Sequence, residues 1–143
     1  MRVKARRPVT TSEKKSLVAA AARARRHASA PYSKFRVGAA LLAEDGRLFS
    51  GCNVESASYG LTVCAERTAV FKALSEGARV FRAVAVVTDA EEPTAPCGAC
   101  RQVLWDQCRD IDVVMQTTSG RRLESRLAAL LPYPFEYGGP PSG

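Results

Sequence analysis

Four residues of this sequence have the types and spacing needed to bind a metal ion and use it. One residue separates Cys64 from Glu66 in "TVCAERTAV", and two residues separate Cys97 from Cys100 in "APCGAC". Both segments open stretches with helical spacing of apolar residues, so we expect the cysteines at helix amino termini, where thiolates are favoured. Structural zinc normally has four protein ligands, whereas catalytic zinc keeps one position open. Three cysteines therefore predict a catalytic zinc site.

Glu66 lies two residues after one predicted ligand, on the first turn of the same helix. From that position its carboxylate can reach a water molecule in the open position of the metal without displacing a thiolate. Zinc lowers the pKa of a bound water toward about 7, and a nearby carboxylate can accept its proton and return it. The pattern Cys-x-Glu followed by Pro-Cys-x-x-Cys, with Pro96 in place, corresponds to an established signature of zinc-dependent deaminases.

The hydrophobic pattern predicts the elements that must position these residues. Thr10 and Glu13 form a capping-box pattern that begins a helix over 11–28, and Asp45-Gly46 marks a β-hairpin. A second helix is expected over 64–75, with Val70, Phe71 and Leu74 facing inward. The later predicted elements are strands over 81–89 and 111–117, a helix from about 98, a short strand near 121–124 and a helical turn over 126–131. This order predicts an α/β layered domain with a mixed sheet.

The length of 143 residues favours one domain, which we place at 11–136 between a basic tail at 1–10 and a Gly/Pro-rich tail at 137–143. No apolar run approaches the roughly 20 residues that span a bilayer. The first residues also lack the apolar stretch of a signal peptide. The chain has five cysteines and no export signal, which argues against a disulfide framework. We expect a cytoplasmic protein with no membrane association.

The net charge of +7 is concentrated near the amino terminus. Residues 1–36 contain eleven Lys or Arg and one acidic residue, whereas the rest of the chain contains ten basic and thirteen acidic residues. A solvated tail and helix face would explain this distribution. An arm that binds a polyanion would also explain it.

Several longer stretches resemble the cytidine deaminase family, in particular its small homotetrameric branch. They are "YSKFRVGAALL" (32–42), "GCNVESASYGLTVCAERTAVFKA" (51–73), "PCGACRQVL" (96–104) and "LLPYPF" (130–135). The resemblance implies a three-layer fold with a mixed five-stranded sheet flanked by helices. It also implies zinc-dependent hydrolytic deamination of cytidine and deoxycytidine to uridine, deoxyuridine and ammonia, as in pyrimidine salvage. The expected assembly is a homotetramer whose active sites are shared between subunits.

The resemblance also implies roles for individual residues near the metal. Each subunit would bind one Zn²⁺ through Cys64, Cys97 and Cys100, and Glu66 would move protons from the zinc water to N3 and to the departing ammonia. Three thiolates leave the zinc unit with a charge of about −1. Arg67 resembles the arginine that offsets this charge by hydrogen-bonding a cysteine sulfur, and Gln102 is expected to act likewise.

Further residues resemble those that bind the substrate. Asn53 and Glu55 would hold the ribose hydroxyls, and Phe35 would pack beside the nucleoside. Ala65 is also expected at the substrate, and Phe135 resembles an aromatic residue that reaches into a neighbouring subunit's site. One departure from the family pattern is an alanine at position 95, where serine or threonine is common.

Three alternatives stay open at this point. A nucleic-acid-editing deaminase would explain the basic leading segment, but such enzymes commonly use His-x-Glu where this chain has Cys64, and the sugar-binding "NVE" favours a free nucleoside. A blasticidin-type aminonucleoside deaminase lacks the "ERTAVFKA" continuation. A noncatalytic zinc module would need a fourth ligand, for which Cys52 is the available thiol. Cys52 and Cys108 are otherwise predicted to pack as small apolar residues, and Trp105 and His27 have no assigned role.

Overall fold

Five strands form one sheet in the computed structural model, which describes residues 6–138. The order across the sheet is β2-β1-β3-β4-β5. β3 and β4 are parallel, and every other neighbouring pair is antiparallel. This arrangement confirms the predicted mixed sheet. The strands are β1 (Gly38–Ala43), β2 (Leu48–Cys52), β3 (Phe81–Thr88), β4 (Asp112–Thr117) and β5 (Arg122–Arg126).

Helices cover both faces of this sheet. They are α1 (Thr11–Arg25), α2 (Ala65–Ser75), α3 (Gly98–Cys108) and the short α4 (Leu127–Leu130). Because successive strand residues point to opposite faces, β1 contributes to two separate apolar clusters. Ala40 and Leu42 pack with Leu17 of α1, whereas Leu41 packs with the cluster that contains Leu104 of α3. The predicted three-layer α/β architecture is therefore confirmed.

β3 is the strand at the centre of the sheet, and all eight of its residues are buried. The run "FRAVAVVT" lacks a polar alternation because helices lie over both of its faces. The parallel neighbour β4 is reached through α3, so the loop at the end of β3 leads directly to Cys97.

Among residues 6–138, no helix has the length and apolar character needed to cross a bilayer.

α1 begins with the predicted capping box. The Thr10 hydroxyl accepts a hydrogen bond from the Glu13 amide at 3.0 Å, and the Glu13 carboxylate accepts one from the Thr10 amide at 3.1 Å. The helix was expected to continue to residue 28, but it ends at Arg25. Beyond it, the amides of His27 and Ala28 donate to carbonyls three residues earlier instead of four. This tighter turn ends the α-helical hydrogen-bond pattern.

Glu13 also forms an ion pair with Arg82, whose side chain is almost fully buried on β3. The hydrogen bond from Arg82 lowers the pKa of Glu13 to about 2. The same guanidinium donates to the Pro8 carbonyl at 3.3 Å, and Arg7 donates to the Glu44 carbonyl at 2.7 Å. The amino-terminal segment predicted as a tail therefore contacts the domain before α1 begins. Residues 1–5 and 139–143 of the two predicted tails lie outside the described residues.

The inward face of α2 differs in part from the expectation. Val70 is fully buried and Leu74 is partly buried, but Phe71 is 49% exposed. Successive residues of an α-helix are about 100° apart, and the buried face of α2 is set by residues 65, 66, 69, 70 and 73. Phe71 therefore points away from the sheet, and the prediction that it faces inward was wrong.

Gly51 lets α2 approach the sheet closely. A Cβ atom at this position of β2 would lie 2.6 Å from the Ala69 nitrogen and 2.9 Å from the Ala65 carbonyl oxygen. Both atoms belong to the backbone of α2, so neither can move without moving the helix. The absence of a side chain at residue 51 therefore fixes the depth of the helix that begins just after Cys64.

We predict that Gly51→Ala displaces α2 from β2 and lowers the free energy of unfolding by about 1–3 kcal/mol. Gly60→Ala is the control, because a Cβ atom there would meet no atom within 4 Å. It should change the stability by less than about 0.5 kcal/mol. Urea unfolding of both variants at equal protein concentration measures the difference. Equal stabilities for the two variants would contradict the close approach at Gly51.

Candidate active site

The amino termini of α2 and α3 bring three cysteine sulfurs together. Cys64 is the N-cap of α2, Cys97 is the N-cap of α3, and Cys100 lies on the first turn of α3. Their Sγ atoms all lie within 4.8 Å of one another, and those of Cys64 and Cys97 are 3.7 Å apart. Cys100 is buried and Cys97 is exposed. The cluster therefore runs from the protein interior to its surface.

This donor set fits zinc. Thiolates are common zinc ligands, and helix amino termini favour the thiolate form. Within residues 6–138, the one group of His, Cys, Asp and Glu residues close enough to hold a metal ion is this set of three cysteines. Cys52 does not belong to it, so the structure gives no support to a site closed by that fourth thiol. Cys108 is buried at the end of α3, as predicted, whereas Cys52 is only partly buried.

Arg67 lies beside the sulfur cluster. Its Nη2 atom is 3.4 Å from the Cys64 sulfur and 3.4 Å from the Thr62 carbonyl oxygen. Hydrogen bonds from Cys100 and then from Arg67 lower the pKa of Cys64 to about 5. The cation is thus in contact with the sulfur whose negative charge it was predicted to offset.

Glu66 is the second residue of α2 and is only 4% exposed. Burial raises the pKa of its carboxyl group to about 7, and the negative charge of Cys64 contributes in the same direction. A carboxyl group with a pKa near neutrality can both hold and release a proton under ordinary conditions. The environment of Glu66 is therefore suited to proton transfer.

Two predicted site residues are placed differently from the simplest expectation. Gln102 donates to the Asp106 carboxylate at 2.9 Å and to the Phe135 carbonyl at 3.0 Å, and not to a cysteine sulfur. It lies two residues beyond Cys100, about 200° around the helix, so its side chain leaves α3 on another face. The Ala65 side chain is fully buried in the core, so a substrate contact from this residue would have to come from its backbone.

Asn53 and Glu55 hold the segment that contains Phe35. The Asn53 amide donates to the Phe35 carbonyl at 2.7 Å and accepts from the Val37 amide at 2.8 Å. The Glu55 carboxylate accepts from the Tyr32 amide at 2.9 Å, and from the amide and hydroxyl of Ser33. The sequence did not reveal these contacts, because they join residues 16–23 positions apart.

A cavity of about 410 Å³ opens at Glu55. Its wall includes Thr62, whose carbonyl accepts the hydrogen bond from Arg67, so the cavity adjoins the segment that leads to Cys64. Tyr32 and Tyr59 stand edge to face with ring centres 5.9 Å apart. Both tyrosines lie close in sequence to predicted site residues. That proximity could have identified them as candidate residues of the cavity wall. The lining residues are Tyr32, Ser33, Glu55, Tyr59 and Thr62.

Fold and site together define a class of protein, the zinc-binding deaminases with a cysteine cluster and a buried glutamate beside it. Residues 11–117 match the family model described as "Cytidine and deoxycytidylate deaminase zinc-binding region". The chain belongs to this cytidine and deoxycytidylate deaminase family.

Individual relatives agree with this assignment. A cytidine deaminase of Sporosarcina psychrophila is 52% identical over 120 residues, which cover 83% of this chain and 88% of the relative. One of Halalkalibacterium halodurans is 50% identical over 124 residues, covering 86% and 94%. The crystal structure of cytidine deaminase from Burkholderia pseudomallei superposes with a TM-score of 0.82 at 50% identity, covering 85% of this chain and 98% of that one.

We predict that the wild-type chain binds about one zinc ion and that Cys97→Ser loses it to a competing chelator, because a serine hydroxyl is a poor zinc ligand. The control is Cys52→Ser, which changes a cysteine outside the cluster and should retain the metal. Zinc released to a chromophoric chelator measures the stoichiometry of all three proteins. Retention by Cys97→Ser together with loss from Cys52→Ser would contradict the assigned ligands.

Proposed function

We propose that this protein is a hydrolytic deaminase that converts cytidine and deoxycytidine to uridine and deoxyuridine with release of ammonia. The observation that carries the proposal is the buried Glu66 on the first turn of α2, the helix whose N-cap, Cys64, is one of three converging cysteine sulfurs. Relatives about half identical over most of the chain have the name cytidine deaminase. A role in pyrimidine salvage follows from this chemistry as part of the same proposal.

In this mechanism, Cys64, Cys97 and Cys100 would hold the zinc ion, which when bound would supply the Lewis acidity that activates a water molecule for attack at C4 of the pyrimidine. Glu66 accepts a proton from the attacking water and transfers it to N3 of the ring. It then takes the remaining proton from the hydroxyl added at C4 and delivers it to the exocyclic amino group, so that the C4–N bond breaks and ammonia leaves. The raised pKa of Glu66 suits both directions of transfer. Arg67 contributes positive charge beside the thiolates.

The nucleoside would occupy the cavity beside Glu55, with Phe35 packing against it. The Glu55 carboxylate lines that cavity, and a cavity of about 410 Å³ is large enough for a small ligand. Asn53 still has one amide hydrogen and one lone pair available after its two backbone contacts. We assign these groups to the ribose hydroxyls. The backbone of Ala65, at the start of α2, would face the base.

A free nucleoside fits this chain better than a nucleic acid. Several basic residues of the leading segment form ion pairs within the domain, which reduces the charge available to phosphates. These pairs are Arg7 with Glu44, Lys14 with Glu124, and Arg25 with Asp89.

A cytoplasmic location stays a prediction, and it is supported by five free cysteines, which a reducing compartment would preserve.

The proposal includes a homotetramer with active sites shared between subunits. Large apolar side chains are exposed on the single chain around the loops that bear the predicted site, as expected for a surface that a second copy covers. They include Tyr59 at 75%, Leu61 at 71% and Phe135 at 69% exposure. Phe135 does not line the cavity of its own chain. Its ring would complete the site of a neighbour.

We predict that Glu66→Gln lowers kcat for cytidine by about 10²- to 10⁴-fold, because the amide cannot accept and return a proton. The ultraviolet absorbance of cytidine follows the reaction, and zinc content shows whether the metal remains. Glu76→Gln, an exposed change at the end of the same helix, should leave kcat unchanged. Full activity in Glu66→Gln would rule out the proposed proton transfer. If the wild type binds zinc but leaves cytidine unchanged, the substrate to test next is an aminonucleoside or RNA.

We also predict that two impaired variants restore each other's activity when they are mixed in one oligomer. Glu66→Ala removes the proton carrier, and Phe135→Ala removes the aromatic residue supplied to a neighbour. In a mixed assembly, a Phe135→Ala subunit with its own Glu66 can receive Phe135 from a Glu66→Ala subunit. Unfolding and refolding the two variants together should raise kcat/KM above the mean of the two refolded separately. No increase would place Phe135 outside the neighbour's site.

A further inference from the structure

Side chains of α3, together with Arg109 just after its last residue, hold the segment that carries Phe135. The Glu136 carboxylate accepts hydrogen bonds from the Trp105 indole at 3.0 Å and from the Arg109 guanidinium at 2.7 Å. One turn earlier, Gln102 donates to the Phe135 carbonyl at 3.0 Å. Residues three positions apart lie along one face of a helix, so Gln102 and Trp105 share a face of α3, and Arg109 donates to the same carboxylate as Trp105.

Arg109 is fixed in place by more than this ion pair. Its backbone has φ 62° and ψ −151°, a conformation that residues with a side chain rarely adopt. Its guanidinium lies 5.6 Å from the centre of the Trp105 ring. A strained backbone persists where surrounding contacts determine it, and such positions are often functional. Trp105 and Arg109 therefore form a preorganised receptor for the Glu136 carboxylate.

These contacts leave the Phe135 ring free. They engage the carbonyl of Phe135 and the side chain of the next residue, whereas Phe135 as a whole is 69% exposed. Pro132 and Pro134 restrict the backbone just before it. The segment is thus anchored immediately after a side chain that is itself largely exposed.

We propose that Glu136, held by Trp105 and Arg109, is a positioning residue that sets the direction in which Phe135 projects and thereby the affinity of the receiving site for its nucleoside. This inference rests on the proposed function, in which Phe135 completes a neighbour's site. The anchoring helix α3 also carries Cys97 and Cys100. The same rigid element thus positions two zinc ligands of one site and the aromatic residue supplied to another.

The sole tryptophan of the chain, Trp105, reports this anchor directly. Glu136→Ala should change the indole emission and increase its quenching by acrylamide in the absence of substrate, because the indole loses its partner and its cover. Trp105→Phe keeps an aromatic ring but removes the N–H donor. In both variants we expect KM for cytidine to rise about threefold to tenfold, as for the loss of one or two partly exposed polar contacts, with kcat nearly unchanged.

A double-mutant comparison separates positioning from a general structural effect. If Glu136 acts through Phe135, Glu136→Ala should raise KM in the wild-type background and add nothing in the Phe135→Ala background. Glu92→Ala is the matched control, since Glu92 also pairs with an arginine, Arg121, but lies far along the chain from this segment. It should leave KM unchanged. Zinc content and oligomer size are measured for every variant.

The outcomes are distinct. A shift in Trp105 emission with a KM increase that vanishes in the Phe135→Ala background supports the proposal. The positioning role is overturned if Glu136→Ala raises KM by the same factor in the wild-type and the Phe135→Ala backgrounds. It is also overturned if Glu136→Ala leaves KM unchanged although Phe135→Ala alone raises it. If Phe135→Ala leaves KM unchanged, the shared site of the proposed function is wrong and the positioning role falls with it. The emission of Glu136→Ala then still shows whether the anchor itself exists.

Discussion

The convergence of three cysteine sulfurs within 4.8 Å is the constraint on which the rest of this structure depends. Two of them cap separate helices, so the amino ends of α2 and α3 must meet at one point. α2 follows the edge strand β2, whereas α3 connects the parallel strands β3 and β4. The two helices lie on the same face of the sheet and pack in one apolar cluster. The close approach at Gly51 then sets how deep α2 lies.

The negative charge of the three cysteine sulfurs explains why they need positively charged groups around them. Three thiolates on one dication leave negative charge in a partly buried place, and burial makes such charge unfavourable unless it is compensated. The two helix amino termini and the Arg67 guanidinium supply partial and full positive charge to the sulfurs. Glu66 lies in the same region, where burial raises the pKa of its carboxyl group to about 7. The arrangement that holds a metal thus also prepares the carboxyl group for proton transfer.

Local signals in the sequence predicted much of this architecture. The capping box at Thr10, the turn at Gly46 with φ 94° and the apolar run of β3 each act within a few residues. The cysteine cluster was predicted because zinc ligands have characteristic spacings. The end of α1 was placed too late, since the last turn of a helix is decided by a switch in hydrogen bonding that composition does not show.

The features that the sequence did not reveal depend on contacts between distant residues. The pairing of Glu13 with Arg82 joins positions 69 residues apart, and the hydrogen bond from Gln102 to the Phe135 carbonyl joins positions 33 residues apart. The hydrogen bonds of Asn53 and Glu55 belong to the same class, because a polar pair on a strand end gives no sign of its partner loop.

Chemistry and recognition are therefore built differently in this chain. The sulfurs and Glu66 lie at the ends of helices packed on the sheet, where backbone geometry fixes their positions. The cavity wall instead consists of loop residues joined by hydrogen bonds between two loops, and Phe135 is held by side-chain contacts to α3. In the proposed function, the rigid frame would hold the reacting groups while the loops would contact the nucleoside. Because Glu55 both lines the cavity and accepts hydrogen bonds from Tyr32 and Ser33, just before Phe35, replacing it would in the proposed function remove a sugar contact and also displace the Phe35 ring.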